Sequence, residues 1–230
     1  VHLTHVPILS GVKEQKSKPT QQSVNLLRQR GIQPDIIIGR CAQILTDSIR
    51  ERISTFCDIA PEAVITGLDV DNVYKIPLVY YEEGILTRLN EKFGWNVQPD
   101  LSKWKKLVEQ MHARGKEVHI AMCGKYTKLE DSYASVIEAL HHAGAHLEVN
   151  PIIHWIETTD SEEGKVSVTQ ALSGMDGVIV PGGFGSRGIE GKISVIQHAR
   201  ENDIPYLGLC YGMQLAVIEH ARNASNMPGA

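Results

Sequence analysis

The sequence predicts an α/β fold built on two open, mainly parallel sheets with flanking helices, and three observations predict it. Strand-like apolar segments alternate with amphipathic helical segments along all 230 residues, as parallel strands require, since they cannot be joined by hairpins. Hydrophobic residues at 42% and charged residues at 22% can bury a core, which excludes disordered and collagen-like classes. Strand signals stop between about Glu82 and Arg114 and then resume. A chain of this length holds one large domain or two small ones. Two are expected, over 1–90 and 116–230, with a linker over 91–115.

In the first half VHLTHVP, the apolar run DIIIG and AVITGL read as strands. Thr20 is expected to cap a helix with Val24 and Leu27 on its inner face, Arg28 and Arg30 at its end and Gly31 as its stop. Asp47 is expected to cap a second helix burying Ile49, Ile53 and Phe56. The segment from Leu86 to Glu117 reads as helix, turn, then an amphipathic helix with Leu107 and Met111 inward. Strands resume at EVHIAMCGKY. A helix is expected from about Asp131, with Tyr133, Val136, Ile137 and Leu140 on one face and Gly144 closing it. LEVNPIIHWI then reads as a strand, Val168 to Leu172 as a short helix and DGVIVP as a buried strand. A glycine loop, a helix over Glu190 to Glu201, the strand IPYLGLC and a last helix from Tyr211 complete the chain.

Charge and cysteine usage narrow the class of function. Lys and Arg number 23 against 27 Asp and Glu, a net charge of −4, so no general positive field draws the chain to nucleic acid or an anionic membrane. No apolar run approaches the roughly 18 residues of a membrane span, and VHLTHVPILS has no basic n-region or cleavage site. Cys41, Cys57, Cys123 and Cys210 never form a CxxC pair, which argues against a disulfide framework or a zinc ribbon. A cytoplasmic chain with reduced thiols is expected. It begins with Val1 and ends just after a helical pattern, so both ends read as cut.

The segment IPYLGLCYGMQ places Cys210 between a short strand and an amphipathic helix, with Gly208 two residues before it and Gly212 two after. A nucleophile on a tight strand-to-helix turn is crowded, and small residues at those two positions let the chain pass. A helix N-terminus beside the sulfur favours thiolate, the attacking species. Pro181-Gly182-Gly183-Phe184-Gly185 follows the preceding strand and lies at the same carboxyl edge, where open α/β sheets place ligands. The amides of Gly183 and Tyr211 are therefore expected to form an oxyanion hole. A cysteine nucleophile needs a base. None of His141, His142, His146, His154 and His198 falls at the carboxyl end of a strand, and His220 lies on the last helix, so the base is expected beyond residue 230.

A second site is local and cationic. Lys13, Lys16 and Lys18 cluster before a helix start, opposed by Glu14 alone. Lys18 precedes Pro19 and is expected to be extended, which sends Lys16 and Lys18 to one side. Thr20 and Gln21 lie at the helix N-terminus, and the whole reads as a polyphosphate cradle.

With these residues in view the chain resembles the CTP synthase family along essentially its whole length. KSKPTQ is similar to that family's nucleotide signature, usually KTKPTQ, and PGGFG with GLCYGMQ to its class I glutamine amidotransferase site. The resemblance implies the end of a P-loop-like amidoligase domain, then the start of a flavodoxin-like glutaminase domain, both incomplete. It implies ATP-dependent amination of UTP to CTP, with ammonia from glutamine hydrolysed at Cys210 and channelled between domains. It assigns UTP or CTP to Lys16, Ser17, Lys18, Pro19, Thr20, Gln21 and Arg52, and adenine of ATP to Leu68, Asp69 and Val70. Glutamine falls to Gly183, Tyr211, Gly212, Met213 and Gln214, and the activator GTP to Phe184, Arg187 and Glu190.

The implied cofactors are ATP and Mg2+, with magnesium ligands outside this chain. CTP is implied as feedback inhibitor, and a homotetramer able to stack into filaments as the assembly. No phosphate loop and no His-Glu pair are present. Ser17 stands for the usual Thr and Tyr211 for a common Leu. Two other readings remain, another class I amidotransferase and a nucleotide-responsive assembly module.

Overall fold

A computed structural model describes the chain except residues 10, 12, 113–114, 125–129 and 184–187 and the side chains of 112, 130 and 131. It divides into two compact units, Val1–Val108 and Glu109–Ala230.

The first unit runs β1 (His2–His5), β2 (Ile8–Leu9), β3 (Glu14–Gln15), α1 (Lys18–Arg28), β4 (Ile37–Cys41), α2 (Asp47–Cys57), β5 (Val64–Leu68), α3 (Ile76–Glu82), α4 (Ile85–Phe93) and α5 (Ser102–His112), whose last turn passes into the second unit. Its sheet has the order β1-β4-β5, all parallel, with Ile37 opposite His2 on one side and Val64 on the other. β2 and β3 form a separate antiparallel ribbon that sequence periodicity did not signal. The run DIIIG is apolar on both faces because β4 is covered on both. Ile37 and Cys41 pack with Val24, Ile49 and Ile53 of α1 and α2, while Ile36, Ile38 and Ile65 pack against Tyr80, Ile85 and Leu89 of α3 and α4.

Several helix ends differ from expectation. α1 begins at Lys18, with Ser17 as its cap residue and Pro19 in the first turn. Proline is at home there, since its missing N–H would lack an intrahelical partner anyway. Lys18 is therefore helical and not extended. Thr20 is no cap: its buried hydroxyl donates to the His5 carbonyl at 3.2 Å and shares a hydrogen bond with Thr4 at 3.0 Å. Thr46, not Asp47, caps α2, its hydroxyl accepting from the Ile49 amide. Phe56 is exposed, the core place going to Cys57. In α5, Val108 is buried between half-buried Leu107 and Met111, and Trp104 Nε1 donates to the Tyr74 carbonyl at 2.8 Å.

The second unit runs β6 (Lys116–Gly124), α6 (Ala134–Leu147), β7 (Val149–Glu157), α7 (Thr158–Glu162), α8 (Val168–Ala171), β8 (Gly177–Val180), α9 (Ile189–Glu201), β9 (Tyr206–Gly208) and α10 (Tyr211–Asn223). Its sheet is all parallel in the order β7-β6-β8-β9, the 2-1-3-4 start of a flavodoxin-like sheet. Ala121, Cys123, Val178 and Val180 pack against Val195, Ile196, Ala199 and Leu215 of α9 and α10. Only a 3-10 turn covers Glu130–Tyr133, so α6 starts at Ala134. It also runs past Gly144, which is buried inside the helix: a Cβ there would lie 2.6 Å from Pro151 of β7. That glycine permits close helix–strand contact and does not end the helix.

The outer strand β5 is closed by an ion pair. Glu83 Oε2 accepts from the Thr66 amide and from Arg50 Nη2, both at 2.7 Å, and Arg50 donates further to Thr66 Oγ1 and the Val64 carbonyl. Burial alone would raise the Glu83 carboxyl, yet Arg50 and Thr66 hold it below its usual 4.5. Glu83→Ala is expected to cost about 3 kcal/mol, because Arg50 and the strand amide lose their partner together. With the folded value lowered, the Glu83 contribution is complete above its unfolded value and fades as pH falls through the folded one. Urea unfolding followed by tryptophan fluorescence at pH 7 and in acid checks both statements. A loss under about 1 kcal/mol at pH 7 would assign the pair a surface role only.

Candidate active site and nucleotide sites

Cys210 lies at the carboxyl edge of the second unit's sheet, as the residue capping α10, with φ 53° and ψ −110°. Such a backbone is sparsely allowed for a side chain and costs on the order of 1–3 kcal/mol unless its surroundings over-determine it. They do. A Cβ on Gly212 would lie 2.0 Å from the Val180 carbonyl oxygen, and one on Gly208 2.6 Å from the Met213 amide. Both positions are closed to any side chain. The Leu209 amide donates to Val180 at 3.0 Å, the Gly212 amide to Leu209 at 2.9 Å, and the Tyr206 hydroxyl to the Gly212 carbonyl at 2.8 Å. Burial pushes the Tyr206 phenol above its usual range, so it remains a donor.

Behind the turn, Glu219 of α10 is 1% exposed and pairs with Arg200 of α9 at 2.8 Å. The Arg200 hydrogen bond outweighs burial and holds the Glu219 carboxyl below its usual value. This pair ties α10 to α9.

The four thiols divide by environment. Cys41, Cys57 and Cys123 are buried and Cys210 is exposed. Burial pushes the Cys123 thiol up to about 12 despite the charge of Lys192, and raises Cys57 as well. The loop after β8 lies against Cys210: a Cβ on Gly182 would be 3.3 Å from the Cys210 Cβ and 3.8 Å from its Sγ. Gly183 has φ 130°, a backbone that favours glycine. Of the other residues assigned to glutamine, Gly212 is buried, Tyr211 half-buried, and Met213 and Gln214 exposed. Several histidines are engaged elsewhere: His119 with His154 at 2.9 Å, and His198 with Asn202. Glu190, in the first turn of α9, pairs with Arg222 at 3.1 Å. Phe184 and Arg187 lie outside the described residues.

In the first unit two cavities open beside the sequence-assigned residues. One, of about 200 Å3, is lined by Lys13, Glu14, Gln43, Thr46 and Arg52. Next to it Lys16 Nζ donates to Glu14 at 2.6 Å, Ser17 is buried, and Gln21 Nε2 donates to Ser17 Oγ at 3.0 Å. Lys18 and Pro19 are exposed. Thr20 points into the core and can offer a ligand only its backbone. The other cavity, about 330 Å3, brings Leu68, Asp69 and Val70 together with Arg40, Ile76 and Tyr80. Arg40 Nε donates to Asp69 at 2.8 Å. Sequence reading missed Arg40, although a charge inside the apolar run of β4, at its carboxyl end, was the available signal.

Residues 1–95 match the family described as CTP synthase N-terminus, and residues 128–229 that described as glutamine amidotransferase class-I. The whole chain aligns with CTP synthases of Thermococcus gammatolerans at 49% identity and Pyrococcus abyssi at 50%, covering 43% and 42% of their lengths. The chain belongs to the CTP synthase family. It spans under half the length of the curated relatives it matches. The match of the first 95 residues separates it from other class I amidotransferases. A solved Trypanosoma brucei CTPS glutaminase domain with bound acivicin is 42% identical, covering 46% of this chain and 41% of that one, with a TM-score of 0.41.

Among the described residues no group of three or more His, Cys, Asp or Glu is placed to hold a metal ion. Among them, too, no helix is long and apolar enough to cross a membrane.

Under native conditions a water-soluble alkylating reagent is expected to modify Cys210 at least about tenfold faster than the three buried thiols. Peptide mapping after partial labelling reads this directly, and comparable rates at Cys123 would contradict the environments described.

Proposed function

We propose that this chain is the part of a CTP synthase that carries the glutamine nucleophile and the pyrimidine nucleotide cradle. Residues 1–90 are the end of the synthetase domain, 91–115 the linker and 116–230 the start of the glutaminase domain. The observation that carries the reading is the exposed Cys210 on a glycine-crowded turn with Gly182 against it.

The Cys210 thiolate attacks the side-chain amide carbon of glutamine. As the C–S bond forms, the carbonyl π electrons move to oxygen, which the amides of Gly183 and Tyr211 hold. Collapse expels ammonia once its nitrogen is protonated, and leaves a thioester that water cleaves to glutamate and the free thiol. Tyr211 to Gln214 seat the glutamine. ATP, its adenine against Leu68, Asp69 and Val70 with Arg40 alongside, phosphorylates the 4-oxygen of UTP. Ammonia then displaces that phosphate to give CTP.

UTP, or CTP as feedback inhibitor, lies on Lys16 to Gln21 and Arg52. Lys16, Lys18 and Arg52 supply charge, and the α1 N-terminus supplies amides. GTP acts through Phe184, Arg187 and Glu190, and the whole protein assembles as a tetramer that can stack into filaments.

In a protein of the relatives' full length containing this chain, Cys210→Ala is expected to lower glutamine-dependent CTP formation by about a thousandfold or more. Supplied ammonium ions should restore product. Continued consumption of glutamine by the variant would remove Cys210 from its role. Failure of the wild type to aminate UTP with ammonia would remove the CTP synthase reading.

A further inference from the structure

Among the described residues that line the 200 Å3 cavity Glu14 is the one acidic residue, and its backbone is hydrogen-bonded in place. It pairs with Leu9 in the β2–β3 ribbon. Its neighbour Gln15, 5% exposed, anchors the ribbon to the segment leading into α2: Gln15 Nε2 donates to the Ile44 carbonyl at 2.8 Å and its Oε1 accepts from the Thr46 amide at 3.0 Å. The Lys16 amide donates to the Pro7 carbonyl at 2.9 Å. The Glu14 side chain itself projects from this tethered backbone and is 53% exposed. Its carboxylate lies 2.6 Å from Lys16 Nζ and lines the 200 Å3 cavity together with Lys13 and Arg52. The Lys16 hydrogen bond, Lys16 charge and Arg52 charge hold that carboxyl below its usual 4.5, so it is ionised at neutral pH. A carboxylate therefore already sits where an anionic ligand would seek the same cations.

We infer that Glu14 sets the affinity of the nucleotide cradle: its carboxylate occupies the ionic position beside Lys16 that a nucleotide phosphate takes, and must release Lys16 when the nucleotide binds. The inference rests on the reading that Lys16 to Gln21 and Arg52 hold nucleotide phosphates. Such a residue weakens binding in two ways. It neutralises Lys16 in the empty state, and it repels the phosphate once displaced. At a separation of about 5 Å in water, one like-charge pair changes an equilibrium by about fourfold, more where water is partly excluded. Salt screens the repulsion. Side-chain exposure of 53% at Glu14 means that its replacement leaves the fold intact.

The experiment titrates UTP, inorganic triphosphate and uridine into a protein of the relatives' full length containing this chain, as wild type, Glu14→Gln, Glu14→Ala and Lys18→Ala, at low and high salt. Both Glu14 variants are expected to bind UTP and triphosphate about three- to tenfold more tightly at low salt. The gain should shrink at high salt and be absent for uridine. Unchanged or weaker UTP binding in both Glu14 variants, or an equal gain for uridine, overturns the inference. Lys18→Ala separates the two levels. If it weakens UTP binding while the Glu14 variants gain nothing, the cradle stands and Glu14 does not compete. If Lys18→Ala binds UTP as the wild type does, the cradle reading itself falls.

Discussion

A main-chain carbonyl and a glycine Cα in contact set the geometry on which the catalytic reading depends. Gly212 rests so close to the Val180 carbonyl that a Cβ would lie 2.0 Å from the oxygen, and that contact brings the start of α10 over the end of β8. Once α10 is held there, the chain between β9 and α10 has too little length to turn in an ordinary conformation. The strain concentrates on Cys210. The hydrogen bonds of Leu209, Gly212 and Tyr206 keep the turn from relaxing, and the pairing of buried Glu219 with exposed Arg200 ties α10 to α9. The result is a sulfur lifted out of the core, while the other three thiols remain in it.

Both units use their parallel sheets alike. Every strand of a parallel sheet ends at the same edge, so loops far apart in sequence meet there. In the second unit the ends of β8 and β9 bring Gly182 against Cys210. In the first, the ends of β4 and β5 bring Arg40 against Asp69, and the segment after β4 carries Thr46 to Gln15. Polar side chains in these positions are fixed by hydrogen bonds. Gln15, Ser17, Thr20 and Thr66 are all buried, and each has a hydrogen-bonding partner, as interior polar groups require. Lys13, Lys18 and Arg52 are exposed and Lys16 is half-buried on that frame.

Much of this was legible in the sequence because the dominant signals are local. Alternation of strand and helix, the apolar run at Ile36–Ile38 and the Gly-x-Cys-x-Gly pattern each depend on a few consecutive residues, and the structure bears out the elements they predict. What escaped depends on partners distant in the chain. Thr20 has the chemistry of a cap, yet Thr4 and His5 of a neighbouring strand claim its hydroxyl. Gly144 reads as a helix stop, yet Pro151 needs the space. Lys18 before a proline reads as extended, yet the first turn of a helix accepts proline. The one local sign of Arg40 is a charge at the end of an apolar strand, and Gln15 matches no local pattern. Their importance lies in what faces them: Asp69 for the one, Ile44 and Thr46 for the other.

The central claim is that the crowded turn presents one sulfur to the side-chain amide of glutamine. Its most direct test is to incubate a protein of the relatives' full length with a glutamine analogue carrying an electrophile at the amide carbon, then map the adduct by mass spectrometry. A single adduct on Cys210, suppressed by added glutamine, is the predicted result. An adduct on another residue, or labelling of Cys210 that glutamine leaves unchanged, would contradict the account.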